Sequence, residues 1–231
     1  MKVLQAVVIL GFSTCILFSQ EQDYRNTFGK DWDKAAEFIN ENEPWMKKLS
    51  ARFNVSYPVA VAVVFPELIR YSALRDKMEI TILKSLYIYA GEDYANFSVG
   101  RFQMKPSFAE AVNERSHLLK GSLRNFFPDP AAYNTAWRYR SSIVANLENP
   151  QAQFIYLIAF IRICGMTFDM GGMDEEEKVK FLSAAYNYSF LKSFEEVNLM
   201  ADRKFFSTKL VASEYYSYSD ISLAWFRSFN R

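Results

Sequence analysis

A single carboxylate, Glu67, stands in the stretch Val59 to Ser72, just after seven consecutive residues, Val59 to Phe65, that carry no polar side chain. An acid so placed is partly desolvated, which disfavours its charged form and raises its pKa. That is the condition a general acid needs near neutral pH. The bland alternative is that Glu67 emerges at the surface where its element leaves the core. Other chemistries have little to work with. The only histidine, His117, rules out a His-based triad unless it acts alone, and no cluster has metal-ligand spacing. Neither a metal nor a cofactor is expected.

The element carrying Glu67 reads as a helix. Periodicity cannot separate helix from strand for so uniform a run. Pro58, however, suits a first helical position, and Leu68, Ile69 and Tyr71 extend the apolar character for another turn. Pro66 should remove one backbone hydrogen bond and bend the chain just before Glu67. Helical spacing also marks Asp31 to Asn40, Trp45 to Phe53 (started by Pro44) and Asp76 to Tyr89 (ended by Gly91). It continues over Phe108 to Leu119, Pro130 to Leu147, Gln151 to Met166, Met173 to Tyr186 and Asp220 to Phe229. The acidic run Asp174 to Glu177 complements a helix N-terminus and reads as solvated. No long alternating strand and no internal repeat is visible. The fold class is all-α or mainly α.

The 231 residues, 50% hydrophobic and 23% charged, suit one generous domain over 21–231, with no Gly/Ser/Pro-rich linker to divide it. A net charge of +1 gives no argument for nucleic acid as a partner. Aromatics reach 17%, with 21 Phe and 14 Tyr, and tyrosine beyond the needs of a core suits a groove that stacks on sugar rings. Residues 1–20 read as a secretory signal peptide: Met1-Lys2 is a basic start, Val3 to Phe18 is mostly apolar, and a polar stretch follows. Export to the periplasm or cell envelope is therefore expected. Gly11, Ser13 and Thr14 interrupt the apolar run and argue against an uncleaved anchor. Phe12-Ser13-Thr14 lacks the pattern that would mark Cys15 for lipidation. Cys164 then remains as a buried packing thiol, with no internal disulfide.

Three short segments follow one another in a telling order: Glu67, then Gly100-Arg101-Phe102-Gln103-Met104-Lys105-Pro106-Ser107, then Ala185-Tyr186-Asn187. Together they resemble the lytic transglycosylase family with its goose-type lysozyme-like fold, in which a catalytic Glu precedes G-x-x-Q-M-x-P-S and A-Y-N segments. Asn149-Pro150-Gln151, leading into a long apolar helix, also matches. The resemblance covers roughly Val55 to Ser189. It departs from the family at Leu68, where Ser is usual, and at Tyr188-Ser189, where Gly is usual. An extra helix also lies between Glu67 and Gly100.

The resemblance implies a lysozyme-like helical domain with a substrate cleft, acting on peptidoglycan strands. Glu67 would protonate the glycosidic oxygen between N-acetylmuramic acid and N-acetylglucosamine. It would then accept the proton of the 6-hydroxyl that closes a 1,6-anhydro ring. Substrate contacts would come from Ser98, Gly100, Gln103, Met104, Tyr186 and Asn187. Gly100 would let the backbone approach a sugar. Gln103 would offer a donor and an acceptor, or simply start a helix. Of Met104 and Phe102, one would line the groove and the other join the core. The Tyr186 hydroxyl would orient Glu67, or the ring would be core; Asn187 would bind sugar, or cap a helix. Hydrolysis by a lysozyme-type muramidase is the second choice, with Glu79, Glu92 and Asp93 as candidates for the second acid. A non-catalytic wall-binding or secretion-associated role is the third.

Overall fold

The computed structural model describes residues 22–73, 78–91, 93, 95, 97–208 and 214–229. The stretch read as a signal peptide, Cys15 included, lies outside the described residues, and so does Glu92. The apolar run folds as helix α3 (Tyr57–Ala73). Every residue from Val59 to Phe65 is buried, as are Leu68 and Ile69. A helix that is apolar on all sides needs neighbours on all sides. It finds them in α2 (Lys30–Arg52), α8 (Pro150–Thr167), α9 (Glu175–Asn187) and α11 (Tyr218–Phe229). Phe65 shows how tight the fit is: Trp225 of α11 stacks on its ring at 4.0 Å, and Trp32 of α2 meets it edge-on at 4.6 Å. Each such side chain taken from water contributes about 1.5–3 kcal/mol.

Pro66 does not end α3. It removes the N–H that would have served Ala62, and the next carbonyl, that of Val63, accepts a hydrogen bond from the buried Tyr218 hydroxyl at 3.0 Å. Pro44 behaves in the same way and corrects the sequence reading. Instead of starting a second helix, it lies inside one continuous α2. Both Pro44 and Asn40, whose carbonyl loses its helical donor, are exposed. Water can therefore supply the missing bond, and the break costs less than it would in a core.

The remaining helices are α1 (Tyr24–Phe28), α4 (Met78–Ala90), α5 (Pro106–Glu114), α6 (Gly121–Arg124), α7 (Ala136–Glu148) and α10 (Phe194–Ala201). Short 3-10 turns cover Arg115–Leu118 and Pro130–Ala132, where longer α-helices were expected. Two end signals have clear causes. Asn149 caps α8 by accepting from Gln151 N and Ala152 N, with Pro150 in the first turn. Asp174 and Glu177 form a reciprocal capping box at α9. The acidic run is not wholly solvated, because Glu176 accepts from Arg227 of α11 at 2.6 and 2.9 Å. That contact holds the Glu176 carboxyl below its ordinary pKa.

The described β structure is one short antiparallel pair, β1 (Lys204–Phe206) and β2 (Tyr216–Ser217), beside an isolated bridge between Val99 and Met104. The fold is thus all-α in its essentials. No helix among the described residues is long and apolar enough to cross a membrane. Cys164 on α8 is fully buried and free, and burial pushes its thiol pKa up.

Candidate active site

Glu67 is 4% exposed, the one buried acid or base among the described residues, yet it lines an open cleft of about 440 Å³. One helical turn on, Arg70 places Nη1 2.7 Å from one carboxylate oxygen and 2.8 Å from the other. The Arg70 guanidinium lies over the ring of Phe206 on β1, 4.6 Å from its centroid, so the strand pair backs up the ion pair. Burial pushes the Glu67 carboxyl above its ordinary pKa of 4.5, while Arg70 and then Lys105 pull it back. Burial is the larger effect, so Glu67 keeps its proton to a higher pH than a free glutamate.

The second segment is a tight turn. Val99 and Met104 exchange backbone hydrogen bonds of 2.9 and 3.1 Å, and between them Gly100 and Gln103 take left-handed backbone angles, φ +70° and +46°. Such a conformation is uncommon for a residue with a side chain, and it turns Gln103 toward the cleft at some cost in strain. The Gln103 amide donates to Gly100 O at 2.9 Å. Its carbonyl oxygen and second N–H remain for a ligand. Ser98 also lines the cleft and Met104 borders it, but Met104 is buried in the core together with Phe102, so the two do not divide between groove and core as expected.

Gly100 is needed for a different reason from the one the sequence suggested. It does not line the Glu67 cleft. A Cβ there would come 2.5 Å from the Leu147 carbonyl oxygen and 2.6 Å from Gln153 Oε1. The glycine lets the turn sit directly on α7 and α8. Gln153, fully buried, completes the joint: its Nε2 donates to Val99 O at 2.6 Å and its Oε1 accepts from Phe102 N at 3.3 Å. Replacing Gly100 by Ala combines a left-handed angle with a backbone clash, and is expected to cost about 2–4 kcal/mol. Urea unfolding of the variant checks it.

The third segment arrives at the end of α9. Tyr186 is half-buried and lines the cleft, but its hydroxyl does not bond Glu67. It donates to Phe102 O at 2.7 Å, fastening the turn to α9. Its ring also packs edge-on against Phe108 and Phe160, so the core alternative holds as well. Burial first, and the nearby Glu67 charge second, hold the phenol well above its usual pKa. Asn187 lines the cleft, and Tyr188, not Asn187, caps α9.

Two acids missed by the sequence reading share this cleft. Glu110 and Glu114 of α5 lie on one helical face with Ser107, a spacing of three and four that the sequence carried. Glu110 accepts from the Tyr87 hydroxyl at 2.6 Å. The acids expected instead do not gather here: Asp93 is exposed and outside the cleft, and the side chain of Glu79 lies outside the described residues. Among the described residues no group of His, Cys, Asp and Glu could hold a metal. Comparison with protein-family models, with curated proteins and with solved structures gives no match for this chain.

Proposed function

We propose that this cleft binds a glycan strand of peptidoglycan and that Glu67 cleaves the bond between N-acetylmuramic acid and N-acetylglucosamine. The observation carrying the proposal is the one buried carboxyl among the described residues, which lines a polar cleft that Gln103 and Asn187 also line. Protonated Glu67 gives its proton to the glycosidic oxygen as the bond from that oxygen to the anomeric carbon breaks. The carboxylate left behind is stabilised by Arg70, 2.7 Å away. The muramic acid 6-hydroxyl then attacks the anomeric carbon and returns its proton to Glu67. A 1,6-anhydro ring forms and the acid is regenerated. One residue serves as acid and then base, so no second carboxyl is required. An export signal in residues 1–20 would bring the enzyme to such a substrate.

The presence of Glu110 and Glu114 in the same cleft supports a second reading, hydrolysis, in which one of them activates water. Mass spectrometry of fragments released from purified sacculi separates the two. Anhydro-muropeptides are expected; reducing-end muropeptides would replace the first reading with the second. Binding to sacculi without release of fragments would reject both and leave a wall-binding protein.

A further inference from the structure

The Gly100–Gln103 turn has a second side. There it borders a groove of about 780 Å³ that the chemistry above does not use and that shares Gln103 with the Glu67 cleft. The turn presents Arg101 to this groove. Its guanidinium lies over the rings of Phe38 on α2 and Tyr71 on α3, 4.9 and 4.6 Å from their centroids. Ring contacts of this kind occupy the faces of a guanidinium and leave the N–H donors along its edge, the fork that matches a carboxylate. Arg101 is exposed and forms no ion pair among the described residues, whereas Lys84 in the same groove is already held by Glu148 at 2.6 Å. The backbone around it is fixed by the left-handed angles of Gly100 and Gln103 and by the two hydrogen bonds that Val99 and Phe102 share with Gln153. A receptor fixed in advance loses little freedom on binding. Glu37 and Glu41 of α2 also line the groove and suit an ammonium group.

A ligand with both a free carboxylate and an amino group, attached to something lying in the next cleft, fits this arrangement. We propose that the groove is a peptide subsite, in which Arg101 receives a carboxylate of the peptide substituent borne by the glycan strand in the Glu67 cleft. The proposal rests on the glycan reading above, and its test keeps the two apart.

Calorimetric titration of the protein uses three probes: the free tripeptide L-Ala-γ-D-Glu-L-Lys, the same peptide with its carboxyls amidated, and a chitin tetrasaccharide without peptide. The tripeptide is expected to bind about tenfold more tightly than its amidated form, the effect of losing a charge-assisted hydrogen bond. Arg101→Gln is expected to weaken the tripeptide by a similar factor, to abolish the difference between the two peptides, and to leave the tetrasaccharide unchanged. Equal binding of the two peptides to the unaltered protein, or no binding of either, overturns the subsite without involving a variant that could misfold. Unchanged tripeptide binding to Arg101→Gln also overturns it. A tetrasaccharide that fails to bind counts against the glycan reading alone, because the carboxylate dependence of the tripeptide decides the Arg101 site.

Discussion

Replacing Glu67 by Gln is expected to reduce the release of fragments from sacculi by about 100- to 10,000-fold, the usual contribution of a positioned general acid. The amide keeps the size and one acceptor of the side chain but cannot deliver a proton. Circular dichroism and binding to sacculi should be retained, since the cleft walls do not depend on the charge. The same variant should also unfold with a different pH dependence. The folded-state pKa of Glu67 is raised above 4.5, so its contribution to stability is fully present below 4.5 and is lost as pH climbs through the raised value. The stability of the unaltered protein relative to Glu67→Gln should therefore fall with rising pH. Urea titrations at a series of pH values measure this directly. A difference that grows with pH would mean that Arg70 outweighs burial and that Glu67 is a standing carboxylate, not an acid.

Removing Arg70 tests the other half of the pair. In Arg70→Gln the buried carboxylate loses its cation, and the carboxyl should move to a still higher pKa. Breaking a buried ion pair leaves one charge uncompensated and costs about 3–5 kcal/mol when both partners are enclosed. The Arg70 side chain is 30% exposed and that of Glu67 only 5%, so a cost below that range, about 2–3 kcal/mol, is expected at pH values where Glu67 is ionised. Below pH 4.5 Glu67 is protonated with or without its partner, and the cost should largely disappear. Activity should respond in the same sense. The basic limb of the pH–rate profile, where the acid loses its proton, should shift to higher pH in the variant. A purely structural ion pair would change stability and leave that limb where it was.

Much of this was written locally in the chain. The unbroken apolar run demanded cover on every side, and Pro58 with Leu68, Ile69 and Tyr71 pointed to a helix; α3 is that helix. The caps of α8 and α9 follow from Asn149-Pro150 and from Asp174 with Glu177 three residues on. The same signature, Ser193 with Glu196, starts α10 through a capping box and went unread. Pro44 misled because its cost depends on whether the orphaned carbonyl faces water, which local pattern does not reveal. The site divides in the same way. Glu67 and Arg70 are one turn apart, so their pairing was available from spacing alone. The partner of the Tyr186 hydroxyl and the reason for Gly100 depend on α8 and α9 closing against the turn. Such contacts between distant segments leave no trace in the neighbouring residues.

Gln153 and Cys164 ride on the same helix, and the thiol is sealed and unreactive while that helix is seated. In the protein without residues 1–20, where Cys164 is the one cysteine, a disulfide reagent can therefore attack only when α8 loosens. The ratio of its observed rate to that for an unstructured cysteine peptide gives the free energy of that opening. The joint beneath the glutamine turn thus carries its own chemical clock, readable without adding any label.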